Sequence, residues 1–181
     1  MNNRYSIPLL LTAALALLSA TASFAADDGQ VYFIQHSFYA YKNKYVTTNY
    51  HVGTLIPINT RAIITDMGGK SMEIELPGLN NMEIEISNVE KHTHKSMKEI
   101  KDRLFGTSEV DLRKFSKDTQ EAIKSGQLKV GMTKAEVLLA YGYPPAHATP
   151  STDDNQWTYW KNRWNRIVLD FKDDKLIGIR D

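Results

Sequence analysis

The segment AIKSGQLKVGMTKAEVLLAYGYPP (122–145) decides the predicted fold of the second half of the chain. Thr133 and Glu136 have the spacing of a capping box, in which each side chain satisfies a backbone N–H at the start of a helix. Gly142 can adopt the left-handed conformation that ends many helices, and Pro144 cannot continue one. We therefore predict a helix that begins after Thr133 and ends at Gly142.

A second helix is predicted before this segment, and three strands are predicted after it. Ser116 has the residue type of a helix N-cap, and Gly126 follows the last predicted turn. Apolar and polar residues then alternate in three short segments, at 156–161, 165–171 and 175–180. The order predicts two helices packed on one face of a three-stranded antiparallel sheet.

Several short motifs of this region occur in a fixed order. They are Gly131-Met132-Thr133, Glu136-Val137, Gly142-x-Pro144, Trp157-x-Tyr159 and the turn Asp173-Asp174-Lys175. Together they resemble the SmpA/OmlA domain family, which has the BamE-like fold, over residues 116–181. The resemblance implies a module of the bacterial envelope that binds proteins or lipid head groups and has no catalytic residues. Its best-known members carry a lipid on a cysteine, whereas this chain has no Cys, so we expect no lipid anchor.

The preceding part of the chain is predicted to be rich in β-structure. Residues 27–94 alternate short apolar runs with turn residues, which indicates four to six strands and no helix. Within them, residues 50–66 are similar to a small SH3-like barrel. A helical connector is predicted at 95–115, where Ser96 and Glu99 form a capping box. The predicted fold class is therefore α+β, with an SH3-like module, a helical connector and an SmpA/OmlA-like module.

An acidic hairpin is predicted at MEIELPGLNNMEIEI (72–86). The residues on its apolar face are Met72, Ile74, Leu76, Met82, Ile84 and Ile86. A five-residue loop would place Glu75 opposite Glu83. The same register places Glu73 opposite Glu85, and such like-charged pairs are destabilising. Neighbouring Lys or Arg side chains could relieve the repulsion, or the face could bind a basic partner or, less suitably, a calcium ion.

The first 25 residues have the pattern of a secretory signal peptide. Arg4 supplies a positive charge, an apolar run follows, and Ser23 and Ala25 suit a cleavage site before Ala26. The full chain has 22 basic and 21 acidic side chains, so removing Arg4 leaves the mature chain formally neutral. This balance argues against a nucleic-acid partner, since nucleic-acid binding requires an excess of positive charge.

The most distinctive candidate surface lies in WTYWKNRWNR (157–166), which contains all three Trp residues of the chain. Trp157 and Tyr159 share one face of the predicted strand and are expected in the core. The remaining aromatic and basic residues have the composition of an interface anchor. We assign to a partner-binding surface Trp160, Lys161, Arg163, Trp164 and Arg166. The alternative is that the aromatic rings pack beneath the helices and the basic groups only solvate the hairpin.

Two histidines offer a competing interpretation. His92 and His94 lie two residues apart, so on a strand their rings would share a face and could converge on a metal. No third ligand is indicated by spacing, and the isolated histidines are His36, His51 and His147. The alternative function is a small-ligand or metal-binding periplasmic protein that uses the His92–His94 pair and nearby carboxylates.

The sequence contains none of the common catalytic motifs, and it has no Cys to act as a nucleophile or a metal ligand. We therefore expect a soluble, non-enzymatic periplasmic protein without a cofactor. Its expected partner is an envelope protein or an anionic membrane surface, and the family resemblance implies a role in outer-membrane or envelope biogenesis. A third alternative is a protein inhibitor that binds through its sheet face.

Overall fold

The computed structural model describes residues 29–181, so the predicted signal peptide lies outside the described residues. The described chain has an α+β fold, which confirms the predicted class. Its strands are Val31–Ile34 (β1), Phe38–Ala40 (β2), Lys44–Val46 (β3), Thr54–Ile56 (β4), Arg61–Met67 (β5), Ser71–Leu76 (β6), Met82–Ser87 (β7), Phe105–Gly106 (β8), Gln156–Trp160 (β9), Arg166–Lys172 (β10) and Lys175–Arg180 (β11). Its α-helices are Glu90–Thr93 (α1), Met97–Leu104 (α2), Lys117–Lys124 (α3) and Lys134–Tyr141 (α4).

The first half of the described chain is built on a mixed, curled sheet that forms half of a barrel. Its strand order is β3-β7-β6-β5-β1-β8, and β2 pairs separately with β4. Strand β3 runs parallel to β7, while the other pairs of this sheet are antiparallel. Helix α2 packs on the sheet and closes what we call the first core, to which it contributes Met97, Ile100 and Leu104.

The acidic hairpin has the predicted register. Leu76 pairs with Met82, Glu75 with Glu83 and Glu73 with Glu85. The six apolar residues assigned to one face all belong to or pack against the first core. Lys44 on β3 forms an ion pair with Glu85 at 2.8 Å, so a neighbouring lysine does relieve part of the repulsion.

The expectation of no helix before residue 95 is wrong, because α1 forms a single helical turn there. Helix α1 begins after Val89, which offers no side-chain cap, and it ends at His94 in the left-handed conformation. A four-residue helix is too short to show the 3.6-residue periodicity by which helices are recognised.

Helix α2 begins where the sequence predicts. Ser96 and Glu99 form both hydrogen bonds of the capping box. The helix ends at Leu104, and Phe105 and Gly106 then pair with β1 at the edge of the first sheet. This pairing with a strand far earlier in the chain is invisible in the local pattern.

The C-terminal part has the predicted order of two helices followed by a three-stranded antiparallel sheet, β11-β10-β9. Ser116 caps α3, and Thr133 with Glu136 caps α4. Helices and sheet enclose a second core, in which Trp157, Tyr159 and Leu169 are fully buried. The placement of the Trp157–Tyr159 pair in the core is thus confirmed.

The two cores are joined by buried hydrogen bonds. The Ser37 backbone N–H donates to the Leu139 carbonyl at 3.0 Å, and its hydroxyl donates to the Ile123 carbonyl at 3.1 Å. The same hydroxyl oxygen accepts from the Ile58 N–H at 3.0 Å. Since Ser37 lies between β1 and β2, the connection between these two strands is tied directly to α3 and α4.

Candidate functional site

The first candidate site, which we call the hairpin tip, consists of residues 161–166: the turn between β9 and β10 and Arg166, the first residue of β10. The Asn162 side-chain oxygen accepts from the Trp164 N–H at 2.8 Å and the Asn165 N–H at 3.0 Å, which holds the turn. The Trp164 side chain projects outward and is 79% exposed. The Arg163 guanidinium carbon lies 5.0 Å from the Trp164 ring centroid, within cation–π range.

The other residues assigned to the partner-binding surface have different surroundings. Trp160 is half-buried, and its carbonyl accepts from the His51 N–H at 3.1 Å, so it lies where the two halves of the chain meet. Lys161 forms an ion pair with Asp181, whereas Arg166 is exposed. The structure therefore brings Arg163, Trp164 and Arg166 to the surface, and it sets Trp160 apart from them.

The two histidines that suggested a metal site are not on a strand. His92 lies in α1 and His94 is its C-cap, so the expected shared strand face does not exist. The His92 Nδ1 lies 2.8 Å from the Thr48 hydroxyl, and its ring centroid lies 4.2 Å from that of His147. Burial, His147 and Lys91 lower the pKa of His92. Residues 29–181 contain no group of three or more His, Cys, Asp or Glu residues arranged to hold a metal ion.

A second candidate site is a cavity of about 350 Å³ between the two cores, which we call the junction cleft. Its walls come from β3, from residues 93–95, from α2 and from the loop 143–152 that follows α4. Basic and hydroxyl-bearing side chains line it, and none of the Asp or Glu side chains among residues 29–181 does. This composition suits a ligand with negative charge.

Arg103 is the central cation of the junction cleft. Its guanidinium carbon lies 3.9 Å from the centroid of the Tyr143 ring, and the residue is half-buried. Burial lowers the pKa of Arg103, although an arginine stays protonated throughout the physiological range. Among residues 29–181, no carboxylate forms an ion pair with Arg103.

Two buried histidines lie beside these sites. His36, which lines the cleft, is 5% exposed, and burial, with a smaller contribution from Arg103, lowers its pKa from 6.5 to about 4. The His51 ring stacks on the Tyr141 ring with 3.5 Å between centroids. Burial lowers the pKa of His51 to about 4 even though carbonyl groups of Tyr141 and Trp160 face its ring nitrogens. Both imidazoles are therefore neutral at pH 7.

The sequence drew attention to the hairpin tip but gave no indication of the junction cleft. Arg103 and Tyr143 are forty residues apart on different elements, and no spacing rule links them. The only local signal was Gly142-x-Pro144, which fixes the turn that carries Tyr143 but does not say what it meets.

Within residues 29–181, no helix is both long enough and apolar enough to cross a membrane. The chain matches no family model, no curated protein and no solved structure.

Proposed function

We propose that the protein is a non-enzymatic binding protein of the bacterial periplasm that docks a partner protein through the hairpin tip. The observation that carries this proposal is the exposure of Trp164. Trp and Arg are the residues most enriched among those that dominate binding energy at protein interfaces. A tryptophan that is 79% exposed leaves a large apolar surface in water, and a partner would cover it.

The charge of the hairpin tip favours an acidic partner. Neither Arg163 nor Arg166 forms an ion pair with a described residue, while Lys161 is already paired with Asp181. Two uncompensated guanidinium groups therefore flank the exposed indole. An acidic protein surface would supply the complementary carboxylates. An anionic membrane surface would supply similar charge, and the test below distinguishes the two.

The finer architecture is part of the same proposal. We infer that residues 116–181 have the SmpA/OmlA arrangement and that the first sheet is related to an SH3-like barrel. The order of two capped helices and a three-stranded meander supports the first inference, and the curled sheet supports the second. The parallel pairing of β3 with β7 departs from a simple antiparallel barrel. A role in envelope biogenesis rests on the first inference.

Replacing Trp164 by Ala should weaken partner binding by about 2 kcal/mol or more, as expected for the loss of an aromatic anchor. The stability of the fold should change by less than about 0.5 kcal/mol, because the side chain is exposed. The measurement is photocrosslinking in living cells from a residue placed next to Trp164, at the exposed position 165, followed by affinity measurement with the captured protein.

Val130→Ala is the matched control, since Val130 is also an exposed apolar residue but lies far along the chain from the hairpin tip. It should leave partner affinity unchanged. Vesicles that contain anionic lipid form the second arm of the experiment. Binding to vesicles that depends on Trp164, without a crosslinked protein, would replace the protein partner by a membrane surface. Equal affinity of the Trp164→Ala protein and the parent for the captured partner would refute the assignment of the hairpin tip.

A further inference from the structure

We propose that the junction cleft binds a small organic monocarboxylate, with Arg103 as the group that holds the carboxylate. The proposal is independent of the hairpin tip and of any partner protein. It starts from an unusual feature, a half-buried guanidinium that faces a cavity and has no carboxylate within ion-pair distance among the described residues, since Glu99 of the same helix acts on it only from a longer range. Charged groups removed from water are ordinarily paired, so a cation in this position calls for an anion from outside the chain.

The geometry of Arg103 leaves its binding edge free. The Arg103 guanidinium carbon lies over the Tyr143 ring, 3.9 Å from its centroid, and a cation–π contact of this kind leaves the N–H groups available as hydrogen-bond donors. These N–H groups lie in the guanidinium plane and match the two oxygens of a carboxylate. The His36 ring packs edge-on against the Tyr143 ring, with 5.6 Å between centroids, and so helps to hold Tyr143 in place beside Arg103.

The charges around the junction cleft favour a monoanion. Lys95 also lines the cleft, but its ammonium group pairs with the Glu99 carboxylate at 3.2 Å. The other Glu99 oxygen accepts from the backbone N–H and the hydroxyl of Ser96. Since His36 is neutral at pH 7 and the direct contacts of Glu99 are with Lys95 and Ser96, Arg103 is the one positive charge of these groups without a direct ion-pair partner. A carboxylate balances that charge, whereas a phosphate dianion would exceed it.

The loop wall of the cleft adds hydrogen-bond donors. Two hydroxyl groups of the cleft are already engaged within the protein: that of Thr47 bonds with Asn88 and Val89, and that of Thr149 bonds with Thr158. The Ser151 hydroxyl oxygen accepts from the backbone N–H of Asp153, which leaves the Ser151 hydroxyl proton free to donate. The Thr152 hydroxyl, which also lines the cleft, forms no hydrogen bond with a described residue. Both are therefore free to donate to a bound carboxylate.

The rest of the lining limits the ligand to a compact apolar body. Side chains of Ile100, Leu104, Pro144 and Pro150 face the cavity. A volume of about 350 Å³ lies at the lower end of the range for ligand sites in proteins. A single ring or a short branched chain attached to the carboxylate fits these limits.

The test is isothermal titration of the purified protein with benzoate and with benzamide, which has the same shape but no charge. We expect benzoate to bind about tenfold more tightly than benzamide, because the charge-assisted contact with Arg103 is lost in the amide. Sodium phosphate at matched ionic strength should not displace benzoate. Equal binding of the two probes would overturn the proposal. So would a lack of binding both for benzoate and for acetate, a smaller carboxylate titrated in the same way.

Variants then locate the site. Arg103→Met keeps much of the side-chain length and should weaken benzoate binding about tenfold or more. Lys98→Met removes the same charge from the exposed side of α2, where Lys98 pairs with Asp102, and should have no effect. Thr152→Val changes only a loop side chain and should weaken binding about threefold, so the site is tested even if Arg103→Met does not fold. Unchanged affinity in both Arg103→Met and Thr152→Val would place the carboxylate elsewhere.

Discussion

Acidification from pH 7 to pH 4.5 should lower the free energy of unfolding by about 5 kcal/mol, because two histidines are held neutral inside the protein. The pKa of His36 and that of His51 both fall from 6.5 to about 4 on folding, with burial as the largest cause. The unfolded chain therefore binds protons below pH 6.5 that the native protein does not bind until about pH 4. Stability is complete above pH 6.5 and is lost as the pH falls between these two values.

Neighbouring groups define the window in which this loss is measured. Arg103 opposes protonation of His36, and His92 acts in the same direction because burial and His147 lower its pKa. The pKa values of Glu99 and Asp111 are also lowered, from 4.5 and 3.8 to about 2. The stability linked to these exposed carboxylates is therefore lost mainly below pH 4.5, where the unfolded chain takes up their protons. Above pH 4.5 the histidines therefore dominate.

Denaturant unfolding at pH 7.5, 6.0, 5.0 and 4.5 measures the effect. A slope of up to about 1.4 kcal/mol per pH unit is expected from each histidine. His36→Gln and His51→Gln should each remove about half of the combined slope, whatever they cost in stability at pH 7. A free energy of unfolding that is constant across this range would show that the two rings titrate in the native protein as they do in the unfolded chain.

The elements that were predictable from sequence are those whose determinants are local. The capping pairs Ser96–Glu99 and Thr133–Glu136 signal the start of two helices because donor and acceptor are three residues apart. The register of the acidic hairpin follows from the alternation of six apolar residues around one loop. Exposure of Trp164 followed from its position in a turn.

The features that could not be predicted depend on contacts between distant segments. Strand β8 exists because Phe105 meets Ile34 across 70 residues. The junction cleft needs α2, the loop after α4 and β3 to meet, and the sequence of each segment is consistent with an ordinary exposed surface. Trp160 was assigned to the partner-binding surface because it lies among aromatic and basic residues. In the structure it is half-buried, and its carbonyl accepts from the N–H of His51, which lies more than 100 residues earlier in the chain.

Asn49 shows how strongly one such distant contact is expected to matter. Its side chain is fully buried, and its Nδ2 donates to the Tyr141 carbonyl at 2.9 Å and to the Tyr143 carbonyl at 3.0 Å. Tyr141 is the last residue of α4, and the final carbonyls of a helix have no partner within it. Asn49 thus caps α4 from the other half of the chain.

Replacing Asn49 by Ala should lower the free energy of unfolding by about 4 kcal/mol. Two hydrogen bonds at buried carbonyls contribute about 1 to 3 kcal/mol each. The left-handed backbone at Asn49, with φ of 59°, adds about 1 kcal/mol, because Ala adopts it less readily than Asn. Asn80→Ala is the matched control, since Asn80 is exposed and has a φ of 55°, so it should lose only the backbone part.

The comparison also tests whether the two halves unfold as one unit. All three Trp residues lie in 157–164, so tryptophan fluorescence reports on the second core, while far-ultraviolet circular dichroism reports on both halves. If Asn49 joins the halves, Asn49→Ala should shift both signals by the same amount in denaturant. Asn49→Gly, which tolerates the left-handed backbone, should retain most of the loss, because the missing hydrogen bonds and not the backbone conformation cause it. A loss in Asn49→Ala no larger than that in Asn80→Ala would mean that the cap on α4 contributes nothing, and the joint would then depend on Ser37 and the surrounding apolar contacts.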